Sequence, residues 1–61
     1  MATNTEIQVE QRTRLYILLK LKKENEEAGI KVIGLDAQIN MTMAVMNEAD
    51  VAYVEKMVAK L

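Results

Sequence analysis

Residues 28–35, AGIKVIGL, decide the fold, because they contain both glycines of a 61-residue chain that has no proline. Glycine adopts the left-handed conformation that commonly ends a helix, so Gly29 predicts the end of a first helix. Ile30 is then expected to fold back over the last helical turn. Since strong helix breakers occur only here, we expect one helix on each side of this segment.

The first predicted helix spans residues 5–28. Two overlapping capping boxes, Thr3 with Glu6 and Thr5 with Gln8, indicate a start near residue 4 or 6. The stretch that follows is rich in Glu, Gln, Arg, Lys and Leu, which lose little side-chain freedom in a helix.

The second predicted helix spans residues 36–60, with Asp36 as the expected N-cap. Apolar residues recur at helical spacing from Ile39 to the end of the chain, which favours one continuous helix. The alternative is a break near 46–48, in which Asn47 caps a separate last helix. That last helix would present Val51, Val54, Val58 and Leu61 on one face.

The connection, residues 29–35, is either a loop or a short strand. Ile30, Val32 and Ile33 are β-branched and therefore favour a strand. A lone strand would have to pair with the same segment of another copy. In the loop interpretation, its apolar side chains close the end of the core. Both interpretations predict that Ile33 or Leu35 is buried.

Charge placement supports an antiparallel hairpin, because opposite charges then meet between the two helices. Arg12 in particular is expected to reach Asp50, which would otherwise be an exposed acid or a buried polar residue that fixes the register. Such exposed pairs stabilise by only about 0–1 kcal/mol each, so they indicate register more than stability. The further expected partners are Arg14 with Glu48, Glu6 with Lys60 and Glu10 with Lys56.

The size of the chain predicts that it assembles with other copies. A domain of about 60 residues buries only roughly 60% of its unfolded surface and usually needs a supplement to its core. Cysteine and histidine are absent, which excludes disulfides and the usual zinc ligands, while 51% of residues are hydrophobic. We therefore expect an all-α single domain, residues 1–61, whose antiparallel helical hairpin assembles into a helical bundle oligomer. A dimer forming a four-helix bundle is favoured.

The expected oligomer or partner interface combines an apolar belt of the first helix with methionines of the second. Tyr16, Ile17 and Leu19 are the belt residues that a single neighbouring helix would leave uncovered. Flexible methionines suit adaptable helix contacts, although they also fill ordinary cores. The full set is Leu15, Tyr16, Ile17, Leu18, Leu19, Met41, Met43, Met46 and Val54.

The alternative function is binding of nucleic acid by a basic flank of the first helix. Clustered cations bind a phosphate backbone by releasing its counterions. Against this, the net charge is −1 and the acidic group Glu24, Glu26 and Glu27 follows directly. The candidate contacts are Arg12, Arg14, Lys20, Lys22 and Lys23.

Enzymatic chemistry is not expected, because His, Cys and Ser are all absent. No catalytic, cofactor-binding or metal-binding residues are predicted, and the acidic group is interpreted as a solvated helix end. Neither a secretory signal nor a membrane span is visible, so a cytoplasmic location is expected. We expect a small adaptor, assembly factor or regulator, comparable in size and architecture to small bacterial or phage regulators.

Overall fold

The computed structural model describes residues 4–61, and these residues form three helices and no strand. The helices are α1 (Asn4–Glu27), α2 (Leu35–Ala44) and α3 (Glu48–Ala59). The all-α expectation is confirmed, and α1 begins where the first capping box indicates. Thr3, the cap in that box, lies outside the described residues.

Gly29 ends α1 as predicted. Its φ of 72° is left-handed, and its amide donates to the carbonyl of Glu26 at 3.1 Å. The amide of Ile30 donates to the carbonyl of Asn25 at 2.7 Å. These two bonds form a Schellman motif, which satisfies carbonyls that the helix leaves without partners at its end.

The connection between α1 and α2 is a loop, and residues 4–61 of the single chain contain no strand. Leu35 is buried at 9% exposure, which confirms the prediction that Ile33 or Leu35 is buried, whereas Ile33 is 97% exposed. Ile30 and Val32 are also exposed. The loop therefore does not close the core with its β-branched side chains, because the chain turns outward until Leu35 enters the core.

The start of α2 differs from the prediction. Gly34, with a φ of 85°, is the N-cap and makes no side-chain capping bond. Asp36 lies within the first turn, where its carboxylate is 3.1 Å from the Lys22 amine. A carboxylate in the first turn still favours the positive end of the helix dipole.

The continuous second helix is wrong, and the alternative break is confirmed. Asn47 has extended backbone angles, and its side-chain oxygen accepts a 2.8 Å hydrogen bond from the amide of Asp50. This bond satisfies one of the free amides at the start of α3. The last amides before the break, those of Val45 and Met46, bond to carbonyls only three residues earlier.

The break gives α3 a direction that the hairpin did not predict. Asp36 contacts Lys22, and the carbonyl of Val45 accepts a hydrogen bond from Gln11, so α2 runs antiparallel to α1. α3 runs in the opposite direction to α2. Asp50, in the first turn of α3, contacts Arg12, and the carbonyl of Leu61, after the end of α3, accepts a hydrogen bond from Lys23. The fold is an up-down-up arrangement in which α3 runs parallel to α1.

Only one of the predicted charge pairs is therefore observed in residues 4–61. Arg12 pairs with Asp50 at 2.7 Å, as predicted. The pairs of Glu6 with Lys60 and of Glu10 with Lys56 are wrong, because the end of α3 lies beside Lys23. Glu10 and Lys23 are about 20 Å apart along α1.

The core lies between α1 and the two shorter helices. Leu15 and Val54 are almost fully buried, and they pack with Leu35, Ile39 and Val58. The buried hydroxyl of Thr42 is satisfied by the carbonyl of Gln38 at 2.8 Å. α1 is about 36 Å long and exceeds both partner helices, which gives the molecule principal extents of 40 × 24 × 17 Å.

Candidate interaction surface

The predicted belt of α1 divides between the core and the surface. Leu15 is wholly buried, and Tyr16, Leu18 and Leu19 are half-buried against the core. Ile17, by contrast, is 58% exposed. Of the predicted interface residues on α1, Ile17 is the one that presents most of its apolar side chain to solvent.

The side of α1 that faces away from the core carries further apolar residues. Leu21 is 42% exposed and lies one turn after Ile17, while Ile7 is 41% exposed near the start of the helix. Together with Arg14 and Glu24, both exposed, Ile17 and Leu21 form a line of alternating three- and four-residue steps. We name Arg14, Ile17, Leu21 and Glu24 the outer stripe.

The outer stripe lies on one side of the helix because steps of three and four residues keep returning to the same face. The core side of α1, centred on Leu15, is covered by α2 and α3. α1 is therefore apolar on two sides, one covered within the chain and one not. Leu21 was not in the predicted interface, although its four-residue spacing from Ile17 was a readable signal.

The methionines divide in the same way. Met43 and Met46 pack against the core, as their place on the stripe of Ile39 indicated. Met41 is 71% exposed and lies off that stripe. Val54 is 1% exposed, so it belongs to the core and is not available to a partner on the surface.

A second exposed apolar area lies in the groove between α1 and α3. Tyr53 is 55% exposed, and the guanidinium of Arg12 lies 5.4 Å from the centre of its ring. A guanidinium at this distance over a tyrosine ring is attracted by the ring electrons. Val9, Tyr16 and Met57 complete the apolar lining. Sequence reasoning missed Tyr53, whose role depends on α3 running parallel to α1.

The polar centre of this area is Asp50, which is 6% exposed. One carboxylate oxygen accepts hydrogen bonds from Arg12, with Nε at 2.8 Å, and the other accepts from Asn47 Nδ2 at 2.9 Å. A buried carboxylate needs such partners, since an unpaired one would be strongly disfavoured. Asp50 therefore serves to join the start of α3 to α1, and no buried side-chain polar atom in residues 4–61 lacks a partner.

The five candidate nucleic-acid contacts are mostly engaged within the chain. Arg12 binds Asp50, Lys22 binds Asp36 and Lys23 donates to the carbonyl of Leu61 at 2.9 Å. The hydrogen bond from Lys22 to Asp36, together with the negative charge of that carboxylate, raises the pKa of the Lys22 amine. Arg14 and Lys20 are exposed on the outer side of α1.

Metal sites and membrane spans are both absent from the described part of the chain. Residues 4–61 contain no group of three or more acidic side chains arranged to hold a metal ion. Within the same residues, no helix combines the length and the apolar character that crossing a membrane requires.

Comparisons with known protein families, curated proteins and solved structures give no significant match.

Proposed function

We propose that this protein is a small, non-enzymatic helical interaction protein that acts as a homo-oligomer and recruits or blocks another macromolecule. The observation that carries the proposal is the exposure of Ile17 and Leu21 on the side of α1 opposite the core. A helix that is apolar on two sides needs more neighbours than α2 and α3 provide.

The total accessible surface area of the chain also supports assembly. The chain exposes 4790 Å², whereas a folded monomer of its mass is expected to expose about 4,000 Å². The excess, roughly 800 Å², equals the area that each partner contributes to an interface of standard size. The radius of gyration, 12.1 Å, likewise exceeds the roughly 10.5 Å expected for a globule of this length.

The small core gives a physical reason for assembly. Five hydrophobic residues are buried among those described, and cysteine is absent from the sequence. Domains of this size with few buried residues gain stability by binding another chain. A partner that binds only the folded state raises the population of that state.

The nucleic-acid alternative receives less support from the geometry. Three of its five cations already bind groups of the same chain, which leaves Arg14 and Lys20 exposed on the outer side of α1. Phosphate binding grows with the number of cations that reach the backbone, so two separated side chains give little affinity. The net charge of −1 adds to the repulsion.

The proposal is tested by light scattering after size-exclusion chromatography on the wild type, Ile17→Asp and Ala37→Asp. Ala37 is exposed on α2, so its variant controls for the added charge. We expect the wild type and Ala37→Asp to run as the same oligomer and Ile17→Asp as a folded monomer. A wild-type monomer that shifts a DNA or RNA probe, with the shift lost in Lys20→Glu, would support the alternative instead.

A further inference from the structure

The outer stripe has a symmetric arrangement of charge around its apolar centre. Ile17 and Leu21 lie two residues before and two residues after Leu19, and Arg14 and Glu24 lie five residues before and five after it. Along α1 the stripe is thus positive, apolar, apolar and negative, with equal spacing on the two sides of Leu19. In residues 4–61, neither Arg14 nor Glu24 has an ion-pair partner.

We propose that two copies of this chain pair through the outer stripe, with their α1 helices antiparallel and centred on Leu19. This inference rests on the proposed self-association and names its surface and geometry. In this register Ile17 of each copy meets the partner's Leu21, and Arg14 meets the partner's Glu24. A two-fold axis produces each contact twice, so the dimer has two apolar contacts and two ion pairs.

The spacing of the stripe fits this packing. Steps of three, four and three residues are the a and d positions of a heptad, the pattern that lets side chains of one helix enter gaps in another. The stripe alone is short, about 15 Å from Arg14 to Glu24 along the axis. A stable dimer therefore requires further contacts beyond it.

Exposed apolar residues at the two ends of α1 provide those contacts. In the proposed register, Ile7 of one copy lies beside the connection that follows α1 in the partner. That connection exposes Ile30, Val32 and Ile33, at 57%, 41% and 97%. Pairing at both ends would remove these side chains from water.

Other arrangements of the same stripe are less favourable. A parallel pair in register would place Arg14 against the partner's Arg14 and Glu24 against the partner's Glu24, and like charges across a helix interface repel. An antiparallel pair shifted by one heptad would place Ile17 against the partner's Arg14 or, with the opposite shift, Leu21 against the partner's Glu24. Only the register centred on Leu19 matches both the apolar and the charged positions. Lys20 lies at the edge of the stripe near the axis, where its long stem allows the amine to reach solvent.

Charge exchange tests this geometry. Arg14→Glu alone would give four acids along the two stripes, and Glu24→Arg alone would give four bases. We expect each single variant to weaken the dimer about tenfold or more in sedimentation equilibrium. The double variant Arg14→Glu/Glu24→Arg restores both ion pairs and should dimerise like the wild type. A mixture of the two single variants should form a heterodimer.

The outcomes separate this inference from the proposal on which it rests. If the wild type dimerises and the single variants dimerise equally well, the self-association stands and the antiparallel stripe is wrong. If the single variants weaken the dimer and the double variant does not restore it, the pairing of Arg14 with Glu24 is wrong. If the wild type is monomeric at all concentrations, both proposals fail. Circular dichroism on each variant verifies that the exposed substitutions leave the helices intact.

Discussion

The guanidinium of Arg12 lies 2.7 Å from the buried carboxylate of Asp50, and this contact joins the first turn of α3 to the middle of α1. Asn47 holds the same carboxylate through its amide while its oxygen caps α3. Three side chains thus hold the start of α3 against α1 at the point where the chain turns after α2.

The first prediction concerns this contact. Arg12→Ala leaves the Asp50 carboxylate with Asn47 as its remaining side-chain partner, so we expect a loss of roughly 1–3 kcal/mol in the free energy of unfolding. Urea unfolding of Arg12→Ala, Asp50→Ala and the double variant forms a double-mutant cycle. A coupling energy near zero would show that the contact contributes nothing to stability.

The second prediction compares two neighbouring residues of α1. Leu15→Ala removes a wholly buried side chain and should lower the free energy of unfolding by about 2–5 kcal/mol. Ile17→Ala changes an exposed position, so at concentrations where the chain is monomeric it should leave that free energy nearly unchanged. It should instead weaken association. Equal destabilisation by both variants in dilute solution would contradict the assignment of Leu15 to the core and Ile17 to the surface.

The third prediction concerns the end of α1. A Cβ on Gly29 would meet no atom within 4 Å, so the effect of Gly29→Ala comes from its left-handed backbone alone. We expect a loss of about 1–2 kcal/mol, measured as a lower urea midpoint with an unchanged slope. Gly29→Asn should lose less, because asparagine tolerates this conformation better. If Gly29→Ala had the same urea midpoint as the wild type, a left-handed residue at this position would be ruled out.

The fourth prediction concerns pH. Because the Lys22 pKa is raised in the folded chain, its protonated form favours folding below the ordinary value of 10.5. That contribution is small, since the pair is exposed, and it is lost as pH rises above 10.5 through the raised pKa. An NMR titration of the Lys22 amine should show a lower pKa in Asp36→Asn than in the wild type.

Glu27→Gln is the matched control for this titration, because it removes an exposed acid that is not a partner of Lys22. It should leave the Lys22 pKa unchanged. Equal values in the wild type and in Asp36→Asn would contradict the contact between Lys22 and Asp36.

Capping chemistry made the end of α1 and the start of α3 the most predictable parts of the fold, whereas the predicted cap of α2, Asp36, was wrong. Gly29 and Asn47 act locally, through bonds to residues three to five positions away, so their sequence signals carry directly into structure. The continuous second helix was a wrong expectation because its apolar stripe and that of the broken alternative share Val54 and Leu61. The choice between them depends on how residues 48–61 pack against α1, as in the contact of Lys23 with Leu61 across 38 residues.

This dependence on contacts between distant residues also explains why the predicted direction of residues 48–59 was wrong. Arg12 meets Asp50 in the predicted hairpin and in the observed fold alike, so this contact does not distinguish the two. The contact of Lys23 with Leu61, at the far end of α3, distinguishes the two directions. Which belt residues are exposed also depends on where α2 and α3 pack. A run of consecutive apolar residues therefore could not show that Leu15 is buried and Ile17 is not.

Self-association through the outer side of α1 is the central claim, and sedimentation equilibrium of the wild-type chain tests it most directly. From micromolar to millimolar concentration, the apparent mass should rise from the 6.9 kDa of one chain toward twice that value. A folded chain whose apparent mass stays at 6.9 kDa across this range would contradict the claim.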